Sequence, residues 1–261
     1  MIKLSKSAYR RAYRSYLDRK AFFPLIGAVL LRDQEGSVFG DHPTSPTQVF
    51  VEHDFGFAQI FGPPTPCLDD WLRRYLLIDK GFTAAKLRLY TPYLPGFLNS
   101  AACGPLRSFR QRFTLARDNN LSASVTPREF TRGMRLVDVG HGNIDDVERV
   151  FHVVNRFWRS PDDFVNKAHP VVVMMNDKPA AICYAAAVAN NCAEVDVLTL
   201  PECRRMGAAK LAVVVFIKRC LDSGLQPVWD CFTNNIGSMA LCRSSGFVPA
   251  SDAYAFFTIA K

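Results

Sequence analysis

The stretch Leu198-Thr199-Leu200-Pro201-Glu202-Cys203-Arg204-Arg205-Met206-Gly207-Ala208-Ala209-Lys210 decides how this chain is read. It leaves a strand-like segment, residues 193–200 (AEVDVLTL), passes a short turn and opens a long helical segment that stops near Gly224. Arg204, Gly207 and Ala209 are spaced R-x-x-G-x-A. A helix N-terminus presents N–H groups that lack intrahelical acceptors, together with the positive end of the helix dipole. Small residues there let a pyrophosphate approach the backbone closely, and Arg204 adds a charge-assisted contact. Gly and Ala at a helix start also serve ordinary helix–strand packing. The spacing alone therefore leaves two readings, an anion site and a packing turn.

Outward from this stretch the second half of the chain is regular. MRLVDVG (134–140) reads as a strand, and Asn143 stands where an N-cap belongs for the helical DDVERVFHVVNRFW, with Asp145 and Asp146 in its first turn. VVVMM (171–175) and AAICYAAAVA (180–189) flank NDKP and read as a hairpin. After the long helix come a strand, QPVWDCF, a helix, NIGSMALCRSSG, and two short strands in FVPASDAYAFFTIA. The first half starts with helical spacing over about residues 5–20 and a short apolar run, PLIGAVLL (24–31). GSVF and QVFVE then predict a meander of antiparallel strands, 67–78 predicts a helix and KLRLYTP (86–92) another strand. Strands followed by helices in this order indicate an α/β (α+β layered) domain. The polar stretch 116–133 has little apolar periodicity and marks the expected boundary between a domain at 1–125 and one at 131–261.

Downstream, Asn235-Ile236-Gly237-Ser238-Met239-Ala240-Leu241-Cys242-Arg243-Ser244-Ser245-Gly246-Phe247 follows a strand and closes a short helix on Gly-Phe. With the Arg204 loop, it resembles the GNAT superfamily of acyl-CoA N-acyltransferases, whose pyrophosphate loop R/Q-x-x-G-x-G/A is followed by N-x-x-A-x-x-L-Y-x-x-x-G-F. Both motifs occur here in order, which is far more specific than either alone. The resemblance implies that the backbone amides of Arg204, Arg205, Met206, Gly207, Ala208 and Ala209 hold the pyrophosphate of acetyl-CoA. It further implies that Val197, Leu198 and Thr199 line the pantetheine arm through backbone hydrogen bonds, and that Asn235 contacts the cofactor or orders the second loop. Where many members carry the Tyr that protonates the leaving thiolate, this chain has Cys242. A thiol of ordinary pKa, about 8.5, can act as an acid. A small buried helix residue is the simpler reading. A narrower likeness adds GSVFGDHPTSPTQVFVE, FGFAQIFG, EVDVLTL and PVWDC to these motifs. It resembles the GNAT branch that includes the zwittermicin-resistance type, whose N-terminal half is a degenerate GNAT unit. Residues 1–120 carry no R-x-x-G-x-G/A after a strand. One working acyl-CoA site is therefore expected, in the C-terminal half, with the N-terminal half shaping the acceptor pocket.

An amine acceptor must lose a proton before it attacks a thioester, so a base or a water chain is needed. Glu194 and Asp196 lie two apart on the strand entering the loop and share a face, and the family often carries an acidic base on this strand. Each also reads as a solvent-exposed strand charge. Asp230, between Trp229 and Cys231, is a second candidate, because a buried carboxylate needs a partner that an ammonium supplies. His169 reads as a loop residue and His141 as a turn residue.

Composition limits the alternatives. With 49% hydrophobic and 21% charged residues the balance is that of a soluble globular protein, and 261 residues suffice for two domains. No apolar run reaches the roughly 18 residues of a spanning helix, and the basic N-terminus lacks the apolar core of a secretory signal. Eight scattered cysteines form no CxxC pair, which predicts reduced thiols in a cytoplasmic protein and no metal site. The net charge of +8 lies partly at Lys3, Lys6, Arg10, Arg11, Arg14, Arg19 and Lys20. A solvated helix face explains these residues, so no nucleic-acid partner is expected, and a basic protein suits an anionic cosubstrate. The expected partner is a small-molecule amine: an amino sugar, its nucleotide, or an amine-bearing metabolite or antibiotic. A homodimer is one expected assembly. The alternatives are a longer acyl donor, a protein acceptor or a non-catalytic acyl-CoA-binding module.

Overall fold

The computed structural model describes residues 1–17, 19, 21–91, 94–116 and 133–261. Its contacts divide the chain into two compact units, Met1–Arg110 with Ala253–Lys261, and Gln111–Asp252. Apart from its first and last residues, the expected boundary at 116–133 lies outside the described residues.

The first unit opens with a short strand, Ile2–Lys3 (β1), and helix Tyr9–Leu17 (α1). Helix α1 is shorter than the 5–20 span its spacing predicts. It buries Tyr9, Ala12 and Tyr16 and exposes Arg10, Arg11 and Arg14. The apolar run is a helix, Pro24–Leu31 (α2), buried over Pro24–Leu30, which is why it shows no polar face. Pro24 sits in its first turn, where a missing N–H costs nothing, and Arg32, at φ 68°, ends it. Gly36–Gly40 (β2), Val49–His53 (β3) and Phe57–Phe61 (β4) form the predicted antiparallel meander. Helix Pro66–Arg73 (α3), extended by a wider turn over Arg74–Ile78, leads to Lys86–Tyr90 (β5). Strand β5 pairs parallel with β4 at Phe57↔Arg88, Ala58↔Leu89 and Gln59↔Tyr90. Two 3-10 turns then precede strand Arg107–Leu115 (β6).

The second unit repeats this succession. Met134–Asp138 (β7) is followed by helices Ile144–Phe151 (α4), Val154–Phe157 (α5) and Pro161–Lys167 (α6). The predicted single helix after Asn143 is therefore broken. His152 adopts φ 53°, and Val154 restarts the helix with its N–H on Glu148 Oε2 at 2.7 Å. Asn143 stands before α4, but its side chain does not cap it. It accepts from Gly140 N and donates to Asp138 O instead, each at 2.9 Å. Val171–Met175 (β8) and Lys178–Ala189 (β9) form the hairpin, turned by Asn176 and Asp177 at φ 49° and 61°. Cys192–Thr199 (β10) pairs antiparallel with β9 and leads to the long helix Ala208–Asp222 (α7). Gln226–Phe232 (β11), helix Ile236–Ser244 (α8), Phe247–Pro249 (β12) and Tyr254–Ala260 (β13) complete the chain.

Strand exchange closes both units. In the first, the order is β1-β2-β3-β4-β5-β13-β6, with Arg107–Arg110 of β6 paired to β13. In the second, it is β7-β8-β9-β10-β11-β6, with β12 paired to Phe113–Leu115 of β6. Ala193, Val195, Trp229 and Cys231 join Ala208, Ala212, Phe216 and Ile217 of α7 in the second core, on one face of the sheet. On the other face, the Tyr184 ring packs at 5.2 Å from Phe164 of α6, and Trp158 Nε1 donates to Ala185 O at 2.9 Å.

Candidate active site

Strand β10 pairs parallel with β11 only at Cys192↔Gln226, Ala193↔Pro227 and Glu194↔Val228 among the described residues. Both strands continue, β10 to Thr199 and β11 to Phe232, so they part beyond Glu194. Val197, Leu198 and Thr199 keep β9 partners, Cys183, Ile182 and Ala181, along one edge. Their other edge has no strand partner among the described residues, and its N–H and C=O groups are left for a ligand or water.

Past Thr199 the chain makes a 3-10 turn, Pro201–Cys203, and reaches α7 through Arg204, Arg205 and Met206, all exposed. Arg205 has φ 62°, and Gly207, the N-cap residue, has φ 91°. No side chain caps the helix, and the space beside Gly207 Cα holds no atom within 4 Å of a hypothetical Cβ. The α-helical ladder starts at Leu211 N to Gly207 O, 3.1 Å. The N–H groups ahead of Leu211 lie beyond the reach of that ladder. Ala208 is buried against the core and Ala209 is half-buried. The small residues thus serve packing and openness together.

Asn235 is the N-cap of α8. Its Oδ1 accepts from Ser238 N at 3.1 Å, and Trp229 Nε1 donates to Ser238 Oγ, also at 3.1 Å, fixing α8 to β11. Cys242 is fully buried within the α7-side core, and burial, with Cys231 beside it, pushes its thiol well above the usual range.

The three candidate carboxylates take the opposite face. Because Ala193, Val195, Trp229 and Cys231 face α7, strand alternation and the Glu194↔Val228 register place Glu194, Asp196 and Asp230 together on the other side. They flank the point where β10 and β11 part, whereas Cys242 lies on the far side of the sheet. Glu194 is only 6% exposed. Asp196 Oδ2 accepts from Tyr184 Oη at 2.5 Å and faces Arg156 Nη1 at 3.4 Å, with 31% of the Asp196 side chain exposed. Burial, then the Asp196 charge, raises the Tyr184 hydroxyl well above its ordinary range, so it stays a donor. Sequence reasoning missed Tyr184 and Arg156. The one signal was Tyr184 as the lone aromatic in the Ala-rich 180–189 run. His169 has φ 49°, and burial, then Arg219, lowers its pKa. Nδ1 of the exposed His141 is 3.4 Å from Asp162 Oδ1. Neither histidine joins the carboxylates.

A family model described as GNAT acetyltransferase matches residues 25–257. The chain belongs to the GNAT acetyltransferase family. It is 29% identical over 102 residues to the uncharacterized N-acetyltransferase YdfB of Bacillus subtilis (strain 168). That match spans 39% of this chain and 39% of the relative. A GCN5-related N-acetyltransferase-like protein from Streptococcus suis 89/1591 superposes with TM-score 0.70 over 98% of this chain and 100% of its own, at 17% identity. A tandem GNAT protein from the clavulanic acid biosynthesis pathway does so with TM-score 0.63 over 99% and 97%, at 12% identity. These likenesses bear out the mixed α/β GNAT fold in two halves. All eight cysteines are free thiols. Among the described residues no helix is long and apolar enough to cross a membrane, and no cluster of His, Cys, Asp and Glu is grouped to hold a metal ion.

Proposed function

We propose that this GNAT chain is an acyl-CoA-dependent N-acyltransferase that passes an acetyl group from acetyl-CoA to a primary amine of a small molecule. The observation that carries this reading is the uncapped start of α7 at Gly207, directly after a strand that has parted from its neighbour. The donor set suits a diphosphate: backbone N–H groups at a helix N-terminus, a left-handed glycine with open space beside it, and exposed Arg204 and Arg205. The residues from Arg204 to Ala209 would hold the pyrophosphate. The open edge of Val197, Leu198 and Thr199 would hold the pantetheine amides. Bound there, acetyl-CoA supplies an activated acyl thioester.

The amine arrives protonated at neutral pH. Glu194, Asp196 and Asp230 offer it negative charge on the sheet face opposite α7. Cys242, buried and poorly acidic, does not serve the leaving sulfur, so solvent returns that proton. The likeness to the zwittermicin-resistance type favours an amine-bearing metabolite, antibiotic or amino sugar as acceptor. Calorimetry of the purified chain with acetyl-CoA, followed by release of CoA thiol with a panel of primary amines, tests the proposal. Absence of acetyl-CoA binding would sink it. The buried Cys242 favours one second reading, a non-catalytic acyl-CoA-binding module, which predicts tight CoA binding and no turnover on any amine.

A further inference from the structure

We infer that Tyr184 and Arg156 are positioning residues that fix Asp196 as the anionic receiver of the acceptor amine, an inference that rests on the transferase reading above. Three independent features of the fold converge on this carboxylate. Asp196 and Tyr184 are cross-strand partners of β10 and β9, so their side chains share a face. Strand β9 carries one extra residue, Ala186, in the register shift beside Glu194/Val195, while β10 keeps its alternation. Asp196 therefore stays on the face opposite α7, two residues beyond the last β10–β11 pair. Arg156 reaches the same carboxylate because His152 breaks the helix and α5 restarts on Glu148.

Both donors meet Oδ2. Among the described residues no hydrogen bond reaches Oδ1, which is the oxygen left for a ligand. Two donors on one oxygen restrict how the carboxylate turns, and part of the entropy of orienting it is spent on folding rather than at each encounter. Tyr184 is buried against Phe164, and its hydroxyl donates to Asp196. In the transfer itself the amine nitrogen forms the new C–N bond and the thioester C–S bond breaks with its electron pair on sulfur. The proton lost by nitrogen passes by way of Asp196 and water to that sulfur.

The test uses the full chain with acetyl-CoA and, one at a time, glucosamine, putrescine and lysine methyl ester as amine probes. Tyr184→Phe keeps the ring and removes only the hydroxyl. We expect it to lower kcat/KM for the best probe about tenfold and to leave acetyl-CoA affinity within about twofold. In an Asp196→Asn background the same change should have no further effect, and Arg156→Gln should behave alike. A structural role would instead lower melting temperature and repeat its loss in the Asp196→Asn background, which overturns the inference. So does an unchanged kcat/KM in Tyr184→Phe. If the wild type binds acetyl-CoA but acetylates none of the three amines, Asp196 is not their receiver and the inference falls while the donor site stands. If it binds no acetyl-CoA, the transferase reading itself has failed.

Discussion

Between β4 and α3 the first half carries Gly62-Pro63-Pro64-Thr65, and between β10 and α7 the second carries Leu200 through Gly207. The two turns occupy the same place in the same succession of elements, and their chemistry is opposite. Thr65 caps α3 by accepting from Leu68 N at 3.3 Å, and its hydroxyl also takes Gln48 Nε2 at 2.8 Å. Pro66 starts α3 without an N–H, and a Cβ on Gly62 would meet Thr47 O at 2.2 Å. That helix start is filled by its own chain, whereas the one at Gly207 is left open. Polar side chains follow suit. In the first half they close on one another: Gln59 with Tyr16, Glu52 with Tyr75 and Thr83 N, His53 with Gln34 and Phe55 N. In the second half both hydrogen bonds to Asp196 go to Oδ2, and none reaches Oδ1 among the described residues. One architecture, used twice, closes its helix start with its own side chains in the first half and leaves it open at Gly207 in the second.

The strongest way to break this contrast is Gly207→Glu. It forces a side chain into φ 91° and sets a carboxylate in the proposed pyrophosphate site. Acetyl-CoA affinity should fall more than about 100-fold by calorimetry. Wild-type affinity would make the second helix start as inert as the first. The closed chemistry of the first half is sharpened by His53, which burial lowers from 6.5 to about 4. Its Nδ1 accepts from Phe55 N, so the ring is neutral and Nε2 donates to Gln34. Below pH about 6.5 the unfolded chain binds a proton there that the folded chain refuses. Stability is thus complete above that pH and declines toward pH 4, by at most about 3 kcal/mol. Denaturant unfolding of wild type and His53→Gln at pH 7 and 4.5 should differ in slope by this term. The difference cancels Glu52, whose carboxyl burial pushes up and which acts in the opposite sense. A milder closure of the second site is Gly207→Asn. Asn tolerates left-handed φ and offers a capping oxygen, as Thr65 does, so affinity should drop about tenfold with little loss of stability.

Much of this is legible in the amino-acid sequence. The meander, the 176–177 hairpin turn and the Arg204–Ala209 loop are local, so alternation, left-handed residues and helix-start chemistry announce them. Four things are not. The closing strands β13 and β6 pair with partners far away in sequence, and no periodicity encodes that. The apolar run 24–31 suits a buried strand as well as a helix, and Pro24 in its first turn fits the helical outcome. The grip of Tyr184 on Asp196 depends on the β9–β10 register, which a one-residue slip would turn to the other face. The break at His152 that delivers Arg156 rests on a left-handed non-glycine residue, invisible to pattern.

The smallest effect is expected where the first half imitates a site most closely. Thr65→Ala uncaps α3 and takes one of two acceptors from the Gln48 amide, which keeps Pro63 O at 2.8 Å, and so recreates on paper the bare helix start of α7. If an uncapped start were sufficient for the nucleotide, this variant would gain a second binding event. Pro66 still withholds an N–H, Pro64 stiffens the approach, and Thr47 O still crowds Gly62. We therefore expect only the cost of a lost cap, about 1 kcal/mol in denaturant unfolding, with acetyl-CoA stoichiometry and affinity unchanged by calorimetry. A second equivalent of acetyl-CoA would mean that the cap alone separates the halves. No change in stability would mean that Gln48 and Thr65 contribute nothing to holding α3 shut.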